Sequence, residues 1–297
     1  MATLLSWGLW AILYTRIAGQ LSEIHSQAIS TLGVVPILVA LWSAKEAPSV
    51  GNRSRGILLA FGSGIFSSLG NIACYQALSH AKAATVVPLT SLYPVVTILL
   101  AVPLLKERLN GIQWTGVGIS LAAILLFNVG QETDDGQGLA SPWLLVALAA
   151  VVLWGVTGLM QKMSTNHISA QSSAIWFLAA FIPVAVAILL AGSIGMVDPL
   201  PSGISPRTWA IAIALGFTLA LGNLTILLAY SSGGKASIIT PLAGLYPMVS
   251  IPIAVLAFGE RVGAREMAAI ALALAAVVML SYQSQGDASP ASSSSSG

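Results

Sequence analysis

Charge is scarce in this chain. Of its 297 residues, 7% are Asp, Glu, Lys or Arg and 56% are hydrophobic, with a mean hydropathy of +0.88. A soluble domain carries about 25% charged residues. So few charges cannot solvate a surface of this size, and the chain reads as an all-α integral membrane protein. The net charge of +2 marks no nucleic-acid partner, and no basic stripe with interleaved aromatics is present. The single Cys74 excludes an intramolecular disulfide; in its apolar stretch it reads as a small hydrophobe. Enzyme signatures are missing: there is no H-E-x-x-H and no G-x-S-x-G. The stretch YSSGGKAS (Tyr230 to Ser237) contains Gly-Lys. It has Ala229 and Ala236, however, where a phosphate-binding loop needs Gly and Ser or Thr. No His, Cys and carboxylate cluster has metal-ligand spacing, so no metal and no cofactor are expected.

Long apolar blocks are what the chain does have. Polar breaks divide it into ten, at 2–18, 27–44, 56–79, 83–105, 111–129, 142–162, 170–196, 207–231, 236–258 and 264–282. About 20 apolar residues cross a bilayer. In lipid the backbone must satisfy itself, so these blocks are helices; they are too long and continuous for barrel strands. The opening MATLLSWGLWAILYTRIAG lacks a basic n-region and reads as a first span rather than a cleaved signal. Residues 283–297 are polar and low in complexity and read as a disordered tail. Lys and Arg in short loops set orientation. A cytoplasmic N-terminus puts Lys45, Arg53, Arg55, Lys106 and Arg108 inside, against Arg16 and Lys82 outside. The second half has no such bias. An even span count returns the C-terminus to the cytoplasm.

One internal offset stands out. KAATVVPLTSLYPVVTILLAVPLLKER (Lys82 to Arg108) lies without a gap over KASIITPLAGLYPMVSIPIAVLAFGER (Lys235 to Arg261), 153 residues later, with 13 of 27 positions identical. The matches include Lys, Tyr-Pro and Glu-Arg, which apolar composition alone does not align. Span four thus repeats as span nine. Five spans separate the copies, so they cross in opposite directions. The expected architecture is ten transmembrane helices, as two inverted five-helix repeats around a central cavity. Residues 1–130 form one repeat, 131–141 an acidic extracytoplasmic linker, and 142–282 the second repeat. Inverted repeats mark secondary transporters.

These repeated segments, with LWGVTGLMQK opening the second half, resemble the drug/metabolite transporter superfamily in its EamA-type branch. The resemblance covers nearly the whole chain. Proline followed about a dozen residues later by Glu-Arg is the feature that carries it. It implies ten helices, a central cavity, and export or exchange of small metabolites across a bacterial cytoplasmic (inner) membrane. The overall character is most similar to bacterial amino-acid exporters.

Candidate site residues follow from the breaks. Pro94 and Pro247 sit near the middle of their spans. Each removes the bond to a carbonyl four residues earlier, that of Thr90 or Ala243. Freed carbonyls at membrane depth are tolerable only against protein or cavity water, and a discontinuous helix there points to a transport site. Tyr93 and Tyr246 either face the cavity or pack as structure. Trp10 and Trp154 lie mid-span in corresponding spans and are cavity-wall candidates. Asn71, Tyr75 and His80 around span three, with Asn223 and Tyr230 on span eight, complete the set; interhelical glue is the other role open to the amides. The small residues of FGSGIFSSLG, and Gly116 and Gly118, are expected to let helices approach closely. Lys82 and Lys235 before the repeated helices, and Glu107-Arg108 and Glu260-Arg261 after them, are either interfacial anchors or gates.

No carboxylate lies at mid-membrane, where a proton relay would place one, and no Lys or Arg lies there to neutralise a phosphate. The expected activity is therefore alternating-access export of small neutral or zwitterionic metabolites, foremost amino acids with large apolar or aromatic side chains. Partners are that solute and lipid, with a monomer as the expected unit. The alternatives are an exchanger of nucleotide-sugars or other anions, and a membrane enzyme or lipid flippase.

Overall fold

A computed structural model describes residues 1–45, 51–128, 142–259 and 262–282. The acidic linker, the Ser-rich tail and the pair Glu260-Arg261 lie outside the described residues. Within them the chain is all-α apart from one isolated bridge between Ala18 and Leu21. The helical segments are α1 (Ala2–Thr15), α2 (Glu23–Ser43), α3 (Arg53–His80), α4 (Ala83–Thr90), α5 (Tyr93–Leu105), α6 (Gly111–Asn128) and α7 (Pro142–Thr165). They continue with α8 (Ala170–Ala179), α9 (Phe181–Ser193), α10 (Pro206–Ser231), α11 (Ala236–Ala243), α12 (Pro247–Phe258) and α13 (Ala264–Leu280). Helix starts carry their own caps. The side chains of Ser22, Asn52, Ser169 and Ser205 accept the backbone N–H of His25, Arg55, Ser172 and Thr208, meeting donors that lipid cannot.

Seven stretches are long and apolar enough to cross a membrane: Glu23–Ser43, Arg53–His80, Ala83–Leu105, Pro142–Thr165, Ala170–Ser193, Pro206–Ser231 and Ala236–Ala257. Ala2–Thr15 and Gly111–Leu126 are apolar but shorter. Large side chains such as Leu58, Leu104, Leu190 and Leu256 are exposed on the outside, as a lipid-facing surface requires.

Proline breaks three of the blocks. Pro94 falls in the first turn of α5 and Pro247 opens α12. There a missing N–H costs nothing, because first-turn donors have no intrahelical partner. A break between α8 and α9 was not expected from the sequence. Pro183, in the first turn of α9, cannot donate to Ala179, where α8 ends. Pro36 stays inside an unbroken α2, so proline alone does not decide.

The closest helix pairs are α3 with α7, α6 with α13, and α10 with both α1 and α2. Backbones touch where glycine allows it. A Cβ on Gly33 would meet the Ile213 carbonyl, one on Gly216 the Ser30 carbonyl, and one on Gly64 the Phe177 carbonyl. Gly116 faces α13, as expected, whereas a Cβ on Gly118 would meet open space rather than a neighbouring helix.

Candidate functional site

The two broken helices brace one another. Tyr93 Oη donates to the Thr240 carbonyl of α11 at 3.4 Å. Tyr246 Oη donates to the Val87 carbonyl of α4 at 3.5 Å and lies 3.3 Å from Thr90 Oγ1. Val87 and Thr240 are 153 residues apart, the offset of the sequence repeat. At the breaks, Gly244 lies so close to Pro94 and to the Ser91 carbonyl that a Cβ would crowd both. Thr90 also bonds back to Val86 and Val87. The Ala243 carbonyl accepts from the Tyr246 N–H at 3.4 Å.

A small cavity of about 40 Å³ opens beside these breaks. Its aromatic wall is Trp7, Trp10, Tyr93, Trp154, Tyr230 and Tyr246. Trp7 meets Tyr93 and Tyr246 edge-on at 6.3 and 6.2 Å, and Trp154 meets Tyr93 and Trp10 at 6.2 and 5.5 Å. The remaining wall is polar but uncharged, with Asn71, Asn223, Gln161, Ser67 and Thr157, plus Gly158, Leu219 and Ile226. The amides are engaged. Trp154 Nε1 donates to Asn71 Oδ1 at 3.2 Å, and Asn71 Nδ2 to Gln27 Oε1 at 3.2 Å. Gln161 Nε2 donates to Asn223 Oδ1 at 3.0 Å, and Asn223 Nδ2 to the Leu219 carbonyl at 2.9 Å.

Seven expected residues therefore share one wall: Trp10, Asn71, Tyr93, Trp154, Asn223, Tyr230 and Tyr246. Tyr75 stands behind it, receiving the Trp10 Nε1–H at 3.0 Å and stacking on Tyr14 at 4.2 Å. Trp10, Tyr75 and Tyr14 form an aromatic layer toward the C-terminal end of α1. Thr90, Pro94 and Pro247 are buried in the breaks rather than in the wall. His80 is exposed in a shallow depression shared with Lys82, Thr85 and Glu266, where Lys82 pairs with Glu266 at 3.8 Å.

The opposite end is held by a carboxylate. Glu107, just past α5, accepts the backbone N–H groups of Ala236 and Ser237 at 3.2 and 3.0 Å. It caps the start of α11. Lys162 Nζ reaches the Tyr230 carbonyl nearby at 3.5 Å. Lys235 stands at the N-cap of α11 and Arg108 is exposed. Replacing Glu107 with alanine removes a charged cap worth about 1 kcal/mol and should lower the melting midpoint of the purified protein. Glu107→Gln, which keeps an acceptor oxygen, should recover part of the loss. An unchanged midpoint in both would deny the cap any structural role.

Trp7, Ser67, Thr157, Gly158, Gln161, Leu219 and Ile226 were not anticipated. Two short signals point at some of them. Trp-Gly recurs at 7–8 and 154–155, and Leu-Gly-Asn at 69–71 and 221–223. The structure pairs these signals: the Trp154 ring edge lies on Gly70, and that of Trp7 on Gly222.

Comparison with known proteins agrees with this architecture. The EamA-like transporter family matches residues 1–129 and 141–282. The inner membrane transporter YedA of Escherichia coli (strain K12) is 25% identical over 233 residues, covering 75% of this chain and 68% of its own. A riboflavin transporter of Rhizobium johnstonii is 26% identical over 174 residues, 58% of this chain and 53% of that one. The protein RarD of Streptomyces exfoliatus is 27% identical over 195 residues, 64% and 56% of the two chains. A solved crystal structure shares the fold with a TM-score of 0.64 at 17% identity, over 94% of this chain and 95% of that one.

Proposed function

The chain belongs to the EamA-like transporter family, as a multi-pass inner membrane transporter, and on that premise we propose that it exports small neutral or zwitterionic metabolites, foremost amino acids with large apolar or aromatic side chains. The observation that carries this reading is the cavity wall: six aromatic side chains, three amides and two aliphatic hydroxyls, with no charged side chain. A net charge placed deep in the membrane costs about 2.5–3.5 kcal/mol or more without a partner. A neutral solute avoids that cost, and the ammonium and carboxylate of a zwitterion offset part of it for one another. Its ring or chain packs against Trp and Tyr faces, and its polar atoms meet the amides.

The same reading takes the chain as ten spans in two inverted halves, 1–130 and 142–282, with both termini cytoplasmic and a monomer as the working unit. Matched contacts support it, since Tyr93 reaches α11 as Tyr246 reaches α4. Alternating access then rocks one half against the other around the breaks. Lys82, Lys235, Glu107 and Arg108 stand at the ends of the broken helices, where gates would act. By the sequence repeat, Glu260 and Arg261 follow α12 as Glu107 and Arg108 follow α5.

Proteoliposomes loaded with labelled amino acids should lose label faster with the protein than without it, fastest for phenylalanine, tryptophan or leucine. The same screen run with and without a pH gradient reports coupling. A second reading rests on the same uncharged aromatic wall and on the relative named a riboflavin transporter: a neutral planar ring system as cargo. Riboflavin is one arm of the screen and a nucleotide-sugar another. Acceleration for the nucleotide-sugar alone would overturn the neutral-solute reading.

A further inference from the structure

We propose that Gln161 reads the polar head of the solute, and that Asn223 passes its oxygen from Gln161 to Trp7 when the solute arrives; this rests on the transport reading above. Two Trp–Gly–Asn units face the cavity and differ in one bond. In the first, the Trp154 ring edge lies on Gly70 and its N–H donates to Asn71 Oδ1 at 3.2 Å. In the second, the Trp7 ring edge lies on Gly222 through the same two atoms, Cδ1 and Nε1. Here the indole N–H is buried with no partner among the described residues. Asn223 adjoins Gly222 as Asn71 adjoins Gly70, so an acceptor is at hand.

That acceptor already has a donor, and the Trp7 N–H does not share it. Asn223 Nδ2 donates to the Leu219 carbonyl at 2.9 Å, which fixes which end of the amide carries oxygen. The oxygen accepts Gln161 Nε2 at 3.0 Å. The first unit has no such competitor. Aligning Trp7 with Trp154 places Tyr14 where the second half has Gln161, and Tyr14 is stacked on Tyr75.

Gln161 lines the cavity. A carboxamide offers a donor and an acceptor side by side. Its complement is a neighbouring acceptor–donor pair, which an α-amino acid supplies as carboxylate and ammonium and an amide-edged solute as C=O and N–H. When such a head takes the Gln161 amide, Asn223 Oδ1 loses its donor and the unpartnered Trp7 N–H replaces it. The protein exchanges one hydrogen bond for another, so no buried group is orphaned by binding. The second unit then matches the first, and the event is transmitted to the α1–α10 contact.

The test uses the full chain in lipid nanodiscs with ¹⁵N-labelled tryptophan side chains, the Trp7 signal being assigned by its loss in Trp7→Phe. Without solute, the Trp7 indole proton should resonate upfield of that of Trp154. In Gln161→Met, and equally in Gln161→Leu, it should move downfield with no solute present, because Asn223 is released. L-phenylalanine should produce the same movement in the unmodified protein. Neither 3-phenylpropionate, which lacks the donor, nor phenethylamine, which lacks the acceptor, should do so at equal concentration. Gln161→Met should also reduce transport discrimination between L-phenylalanine and 3-phenylpropionate about tenfold. An immobile Trp7 signal in both dispersed Gln161 variants overturns the exchange, whatever the protein carries. A Trp7 signal unmoved by a transported L-phenylalanine overturns the head-group role. If the Gln161 variants move Trp7 while no amino acid is transported, the exchange stands and the amino-acid reading falls.

Discussion

Gly216→Val is expected to abolish recovery of folded protein from the membrane. A Cβ at this position would overlap the backbone carbonyl of Ser30, and a Cβ on Gly33 that of Ile213. At this crossing of α2 and α10 the obstacle is backbone on both sides. No rotamer change can relieve it, so the helices would have to separate. Overpacking by a methylene or so costs about 1–3 kcal/mol in a core that can shift side chains. A Cβ and two methyl groups against a backbone should exceed about 4 kcal/mol, a large part of a domain's total of about 5–15 kcal/mol. Gly216→Ala should already lower the melting midpoint, and Gly118→Ala, placed in open space on α6, should hold or raise it. Fluorescence-detected size exclusion after a heat step reads all three. A monodisperse Gly216→Val protein with an unshifted midpoint would refute the close approach.

Asn71→Leu is the second large effect. Leucine fills the space but leaves the Trp154 N–H and the Gln27 carboxamide without partners. Each orphaned buried group costs about 1–3 kcal/mol, so the single substitution should cost about 2–6 kcal/mol. The bond itself is worth less. Interhelical hydrogen bonds in a membrane average about 0.6 kcal/mol and reach about 1.7. The double variant Asn71→Leu/Trp154→Phe should therefore be more stable than Asn71→Leu alone, because the indole donor is removed with its acceptor. A single variant that loses less than about 0.5 kcal/mol would show that water already serves these groups. Transport by Asn71→Leu should fall along with stability, since Asn71 is part of the cavity wall.

The breaks were legible because proline acts locally. Pro94 and Pro247 forbid particular bonds whatever surrounds them, and the repeat doubled the signal. Pro183 carried the same information, but its block was read as one span because no repeat drew attention to it. Cavity membership was legible only in part, because it depends on height along a helix as well as on face. Asn71 and Tyr75 are four residues apart and share a side of α3. Asn71 reaches the cavity, while Tyr75 lies one turn further on, behind Trp10. Trp7 and Gln161 were missed because single aromatic and amide residues in apolar runs carry no pattern of their own. Their significance comes from Gly222 and Asn223, two residues of α10 distant in sequence from both. The sequence holds the clue only as two recurring words, Trp-Gly and Leu-Gly-Asn, too short to rise above composition.

The interleaving of the two halves has a consequence for how the molecule holds together. Its closest contacts, α3 on α7, α1 and α2 on α10, and α6 on α13, all join a segment before residue 129 to one after residue 141. Neither stretch can cover its own glycine faces, and each tyrosine of the braces finds its acceptor in the other. Two gene fragments, one encoding each stretch and expressed together, should assemble into the same cavity, whereas either alone would expose what the other was shaped to cover. The chain is in this sense a heterodimer whose subunits happen to be covalently joined.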